Sequence, residues 1–558
     1  MRIIAIFVFS LILFFFLSAG LSRLVKGSKK ISQLVRFTIS LLGVILLLAG
    51  VAVFFIGKSV MGTPLDILLS TCLLGSGTGI LIYHLLSESF LISQKWEQRF
   101  IQKHDHQVER FLEILPGALM WLALTSPIWL SFTLPFAIAY LILLADIYWL
   151  ATAIRIAVLT YIGYKKMEYV KKQNWLSKLQ TDFPKEWKSY YHFVEIHTYK
   201  EPMEVLKPAF EAIINSHYPS QKIFFGIGLE ERDSPEKNAQ VAEYVKQNQE
   251  KIGGIFLTIH PFGLPGEIPG PATNRNWILN NAVKEFAKRG LKPEQVLVTT
   301  LDADFVIHPQ FLAGALHKYL STPSQIRYKR SFTSLSMNMK SLLDIGLWIP
   351  DKVNDDSGFY WKAYYHFKGD YKVIPHYMPI SADTVLDVNL LKTFENQYLQ
   401  LKRWSYGVEH VPYIIRKYFT SKELDFWDKT DKLLFILWSY FKWGTLALFV
   451  TFAGLFIPLI NPNYSQSVVA YKLPVISSWI LTGAFIGLFM TIFVHEKTAP
   501  PRPAKWSLLQ RIWSYIQWAL IPIILVTITS IPAIDAQTRL MLGKYLEYRT
   551  TNKARLKE

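Results

Sequence analysis

The sequence predicts an α/β domain with a mixed, mostly parallel sheet, inserted between bundles of apolar helices. Three observations carry that expectation. Runs long and apolar enough to cross a bilayer occupy both ends of the chain, and the stretch 183–409 has none. Within that stretch, short β-rich runs alternate with helical ones, the pattern of parallel strands joined by crossover helices. One of those runs, 296–301, ends in two carboxylates one residue apart, where such a sheet places its ligands.

With 558 residues there is room for several domains. Hydrophobic residues at 51% and aromatics at 15% are high for a soluble enzyme and fit partial membrane residence. The one cysteine, Cys72, excludes a disulfide or a cysteine-based metal site within the chain. A formal charge of +18 fits nucleic acid or anionic lipid. Lipid is favoured and no nucleic-acid partner is expected, because basic residues cluster at the ends of apolar runs: Arg23, Lys26, Lys29, Lys30 and Arg36, then Lys165, Lys166, Lys171 and Lys172.

Taken in order, residues 1–164 form a transmembrane region of about five spans. The runs are 3–21, 37–56, 67–86, 115–132 and 134–159. The first is too long for a signal-peptide core and is read as an uncleaved span. Residues 87–113 read as a charged surface helix, and Pro127 and Pro135 as the bend between the fourth and fifth spans. Asp146 and Arg155 in the fifth predict a helix packed against others and emerging into water. A basic linker, 165–190, leads to the α/β domain, 191–410. Its expected strands are 193–196, 223–228, 254–259 and 296–301, and its expected helices 204–215, 241–249 and 276–289. An interfacial helix at 411–432, apolar runs at 433–460, 473–494 and 512–531, and a basic tail at 537–558 follow. The basic segments 23–36 and 165–172 place the domain in the cytoplasm and the protein in the plasma or inner membrane as a multi-pass chain. Three C-terminal crossings would leave the basic tail outside. Either one of those segments is re-entrant or interfacial, or one N-terminal run does not span.

Asp302 and Asp304 follow the strand 296–301. Carboxylates at i and i+2 of a strand share a side, and paired hard oxygens suit Mg²⁺ or Mn²⁺ together with substrate phosphates. Alone, Asp-x-Asp is a weak signal, and a solvated turn would be the better reading. Four further stretches accompany it. Thr198-Tyr-Lys-Glu-Pro202 ends the first strand, where Glu201 could grip a nucleoside edge. Glu230-Glu-Arg-Asp233 ends the second. Gly266–Asn276, which includes Asn274 and Arg275, precedes a helix, so backbone N–H groups there could approach phosphates. Asn354-Asp-Asp-Ser357 offers either a general base or a helix N-cap. Finally, in Gln400-Leu-Lys-Arg-Trp404 the residues Gln400, Arg403 and Trp404 share one helix face. Trp offers a sugar platform and Arg a diphosphate contact, and a basic helix resting on the membrane is the plainer reading.

In this order, over roughly residue 193 to the last apolar run, the motifs resemble the family 2 membrane glycosyltransferases, the cellulose, chitin and hyaluronan synthase group. The resemblance implies a GT-A fold, a nucleotide-sugar donor, Mg²⁺ or Mn²⁺, and inversion at the anomeric carbon. It implies donor contacts at Glu201, Glu230, Asn274 and Asp302, metal at Asp302 and Asp304, the catalytic base at Asp356, and acceptor or product contacts at Gln400, Arg403 and Trp404. Asp355 and Asp356 match the acids of the family's Thr-Glu-Asp motif. The chain departs from the pattern at Lys200, at Glu230-Glu231 and at Gly270-Pro271, and in the three runs ahead of Ser87. The expected activity is transfer of a hexose to a growing polysaccharide, with export possible between the spans. Single-sugar transfer to a membrane lipid is the alternative, and a transporter or scaffold with an inactive α/β domain is the rival of another class.

Overall fold

The computed structural model describes residues 10–11, 14, 42–43, 45–47, 64–86, 105–321 and 334–548. The expected spans at 3–21 and 37–56, the start of the charged helix and the end of the basic tail lie wholly or almost wholly outside these residues. Two compact units divide the chain. The smaller comprises residues 1–110, 133–137 and 416–430. Within it the Arg416 guanidinium pairs with Asp105 and with Glu109, the latter at 2.7 Å. The larger unit holds the sheet and most of the apolar helices.

Helix α1 is Pro64–Leu86 and α2 is Asp105–Thr133. Charged residues 105–113 and the apolar run after them form one continuous helix, which contains Pro116 and Pro127. Pro127 therefore lies inside this helix and does not end it. The break comes at Leu134, and Pro135 opens α3, Pro135–Lys171. Proline is well suited to a first helical turn, where its missing N–H has no partner to lose. Asp146 of α3 is fully buried, as a helix packed against others requires, and Arg155 is exposed.

The α/β region follows as β1 Tyr191–His197, α4 Met203–Ile214, β2 Ile223–Glu230, α5 Pro235–Asn248, β3 Gly254–His260, α6 Pro271–Lys288 and β4 Val296–Leu301. A short pair, β5 Val306–Ile307 with β7 Ile380–Ser381, is antiparallel, and β6 is Leu335–Asn338. The main sheet has the order β3-β2-β1-β4-β6. The first three pairings are parallel and β4–β6 is antiparallel, so the sheet is mixed and mostly parallel. Strands buried on both faces read as nearly continuous apolar runs. On one face Val194, Ile196, Phe225 and Ile227 join Leu206, Phe210 and Ile213 of α4. On the other, Phe193, Phe224, Val296 and Val298 meet Ile278, Ala282 and Phe286 of α6. β1 leads to β2 on one side and neighbours β4 on the other, so the order reverses between β1 and β4. Their carboxyl ends lie side by side, with Ile196 in register with Leu301.

Helix α7 is Asp355–His366, α8 Leu390–Ser405 and α9 Val411–Thr420. The long helices α10 Phe426–Ile460, α11 Val468–Thr498 and α12 Leu508–Met541 complete the described chain. The interfacial helix expected at 411–432 is thus divided, because α10 already begins at Phe426. The expected start of the tail at Gln537 falls inside α12, where Gln537 is buried and donates to the Tyr440 carbonyl at 3.0 Å. Helices α2, α3, α10, α11 and α12 are long and apolar enough to cross a membrane. The two N-terminal and three C-terminal ones flank the α/β region in sequence. α8 is tied to α12 through Asp535, which accepts from Tyr398 at 3.0 Å and pairs with Lys402 at 2.6 Å.

Candidate active site

The turn after β1 is built on Glu201. Its Oε2 accepts from the Thr198 hydroxyl and from the Tyr199 N–H, both at 2.7 Å. Lys200 adopts φ 71°, and its N–H donates to Asp233 at 2.9 Å. Lys237 bridges Asp233 at 2.6 Å and Thr198 at 2.8 Å. Burial raises the Glu201 pKa against the pull of Thr198 and Lys237. This carboxylate shapes the strand end as well as lying beside it.

At the end of β2, Glu230 and Asn274 come together. Asn274 Nδ2 donates to Glu230 Oε1 at 2.8 Å and to the Leu229 carbonyl at 3.1 Å. Arg232 Nε reaches Glu230 Oε2 at 3.3 Å, and its guanidinium lies 4.2 Å from the Tyr199 ring centroid and 5.4 Å from that of Phe262. Burial disfavours the charged form of His260, but Glu230 and Glu267 outweigh it and raise its pKa. The close packing of α6 on β2 depends on glycine. A Cβ at Gly228 would sit 1.8 Å from Asn274 Oδ1.

Asp302 and Asp304 lie beyond the last strand residue, Leu301, in a turn closed by the Phe305 N–H on the Asp302 carbonyl at 3.0 Å. Strand alternation therefore does not orient them. The Asp302 carboxylate is partly exposed, whereas Asp304 is buried and accepts from the Asp383 N–H at 2.8 Å. Two carboxylates supply the hard oxygens that Mg²⁺ or Mn²⁺ takes alongside phosphates and water. Among the described residues no group of three or more His, Cys, Asp or Glu forms a metal cage.

Arg275 is not the loop cation expected near the phosphates. It is 1% exposed and points into the domain. Its Nη1 donates to Asp355 at 2.9 Å, its Nη2 reaches Asp302 at 3.4 Å, and its Nε lies 3.9 Å from Glu195. Burial raises Asp355 to about 6 and Glu195 to about 7, with Arg275 opposing the rise in both. Glu195 went unnoticed in the sequence, though a signal was there. A glutamate inside a strand of buried residues needs either a counter-charge or a retained proton, and Arg275 extends the inward stripe Ile278, Ala282, Phe286 of α6 at helical spacing.

Asp355 is not the helix cap. Asn354 holds the N-cap position of α7, and its side chain donates to the Arg403 carbonyl at 2.7 Å. Asp356 lies in the first turn and accepts from the Ser357 N–H at 2.6 Å. The segment after α8 braces this helix. Glu409 accepts from the Asn354 N–H at 3.0 Å, and His410 Nε2 meets the Asn354 carbonyl at 2.7 Å. Arg403 of α8 turns toward the acids. Burial disfavours its charge, but Tyr548, Asp356 and Asp302 raise its pKa. The Tyr548 ring lies 4.7 Å from its guanidinium, bringing the C-terminal segment to the site, a contact no motif announced. Gln400 is half-buried and Trp404 is 49% exposed. The structure thus gathers Glu201, Glu230, Asn274, Asp302, Asp304, Asp356 and Arg403 at or beside the strand ends, and places Trp404 in the open.

No protein-family model and no curated protein matches the chain. Among solved structures, a mannosyltransferase from Pyrobaculum calidifontis, PcManGT, in complex with GDP-Man and Mn2+, is 15% identical. That match covers 71% of this chain and all of that one, with a TM-score of 0.34. S. aureus TarS residues 1-349 in complex with UDP-GlcNAc is 13% identical, covering 56% of this chain and 93% of that one, with a TM-score of 0.29. At this distance, what the chain does has to be argued from its own side chains.

Proposed function

We propose that the chain is a membrane-embedded inverting glycosyltransferase of GT-A type, moving a sugar from a nucleotide-sugar to a growing polysaccharide. The observation that carries this is the meeting of donor-side and acceptor-side acids at one switch point. Asp302, at the end of β4, and Asp355, beside Asp356 in α7, both contact the same guanidinium. Ligands bind at such crevices outside strand carboxyl ends.

In this reading Glu201 and Glu230 border the nucleoside, and Asp302 and Asp304 hold the divalent cation, Mg²⁺ or Mn²⁺. When bound, the cation supplies positive charge against the diphosphate. Arg403 adds a second positive charge near Asp302 and Asp356. Asp356 takes the proton of an acceptor hydroxyl as its oxygen attacks the anomeric carbon. The bond from that carbon to the diphosphate oxygen breaks with its electron pair, and configuration inverts. Gln400 and Trp404 form the acceptor or product side, the exposed indole offering a flat face to a sugar ring.

A screen of nucleotide-sugars for divalent-cation-dependent release of nucleoside diphosphate by the purified chain tests the proposal. Release from none of them would leave the scaffold reading. Product length separates a polymer synthase from a single transfer to lipid.

A further inference from the structure

Arg275 is a buried arginine with more counter-charge than it needs. Three carboxylates surround it, those of Asp355, Asp302 and Glu195, at 2.9, 3.4 and 3.9 Å. They come from three elements: α7, the turn after β4, and the middle of β1. The guanidinium fork can serve two acceptors at once in a fixed geometry, which a lysine ammonium cannot. Trp348, with its ring centroid 5.1 Å from the guanidinium carbon, covers it as well.

Glu195 needs explaining. It is completely buried in β1, in register with Thr300 of β4, whose hydroxyl faces it. The Arg275 Nε lies 3.9 Å away, too far for a hydrogen bond. Burying an acid this way is costly. An apolar residue there would continue the face begun by Phe193. What the acid adds is a carboxyl oxygen 3.9 Å from Arg275 Nε, a counter-charge once ionised above about pH 7, that no substrate can draw away. Asp302 sits where ligand would compete for its charge, while Glu195 stays behind the sheet edge whatever Asp302 is doing.

We propose that Arg275 is a positioning residue, backed by Glu195, that locks the Asp302 end of β4 to the first turn of α7. The donor-side turn and the helix bearing Asp356 then keep one fixed register. The effect on rate rests on the glycosyltransferase reading, and the effect on the helix does not.

The test uses the purified full chain as wild type, Arg275→Lys, Glu195→Gln and the double variant. Two quantities are measured: amide hydrogen exchange at Gly358, Phe359 and Tyr360 in the start of α7, and kcat with donor KM. In Arg275→Lys these amides exchange at least about tenfold faster, with β1 and β2 unchanged. Glu195→Gln, which keeps the shape, moves them the same way but less. In the Arg275→Lys background it adds nothing, because it acts only through Arg275. The same series lowers kcat by about 30-fold or more in Arg275→Lys, with donor KM within about threefold. Wild-type exchange at the start of α7 in Arg275→Lys overturns the proposal, as does an equal effect of Glu195→Gln in both backgrounds. If the wild type releases no nucleoside diphosphate but the exchange pattern holds, the lock stands and the enzymatic reading has failed.

Discussion

At the scale of single residues, charge at the strand ends decides what the site can do. Asp304→Asn should abolish transfer with the fold intact, since an amide oxygen can still accept from the Asp383 N–H while the cation loses a ligand charge. Chelation should reproduce the loss, and full activity at ordinary metal levels would remove the proposed metal site. Asp356→Asn should lower turnover by roughly 10²–10⁴-fold, the usual range for a lost general base, with donor affinity kept. Asp355→Asn should lower it less, because Asp355 is turned to Arg275. The reverse ranking in measured turnover would move the base by one residue. Glu409 gives a pH prediction. Burial lifts its pKa to about 7, against the Asn354 N–H. The native state therefore holds this proton over a range where the unfolded chain has lost it. Its contribution to stability is full below about 4.5 and is lost as pH rises through about 7. Thermal unfolding across that window should be flatter in Glu409→Gln than in the wild type, and equal slopes would contradict the assignment. The acids Asp302, Asp304 and Asp356 were legible because each ends or begins an element that periodicity marks. The partner of Asp355 was not, because Arg275 lies 80 positions away and meets it only through the packing of α6 beside α7.

At the scale of elements, the four parallel strands were legible to within two residues at each end, since a mostly buried strand leaves a largely apolar run between polar turns. The antiparallel β6 was not foreseen, because Leu335–Asn338 is only half-buried and carries no such run. Of the two prolines expected to mark the bend, Pro135 opens the second helix and Pro127 lies within the first. A proline costs a helix one hydrogen bond, and a long apolar helix can absorb that where its neighbours pack against it. The junction of α6 with β2 is tighter than any pattern could reveal. A methyl at Gly228 would clash with Asn274 Oδ1 and come within 2.5 Å of Ile278 Cδ1. Gly228→Ala should therefore cost about 1–3 kcal/mol by overpacking. It should also weaken the donor site, because Asn274 can yield only by releasing Glu230. Donor KM and thermal stability measured together check this. A loss of stability with unchanged KM would detach Asn274 from donor binding.

At the scale of the whole molecule, the sequence foretold an α/β region flanked by helices long and apolar enough to cross a membrane, and the remaining question is which side that region faces. The basic residues Lys165, Lys166 and Lys171 end α3, the last apolar helix before the sheet. Such residues are held on the cytoplasmic side during insertion, and nucleotide-sugars are made there. Both considerations predict that the α/β region faces the cytoplasm. Lys246 offers a way to test this, since it is exposed on α5, on the surface of that region. Cys72 is the chain's one native thiol, so a Cys72→Ser background carrying Lys246→Cys has a single reporter. In intact cells the introduced thiol should resist a membrane-impermeant maleimide and react once the membrane is permeabilised. Ready labelling in intact cells would place the α/β region outside. A site built for nucleotide-sugars would then face a compartment that has to import its donor, and the glycosyltransferase reading would lose its supply of substrate.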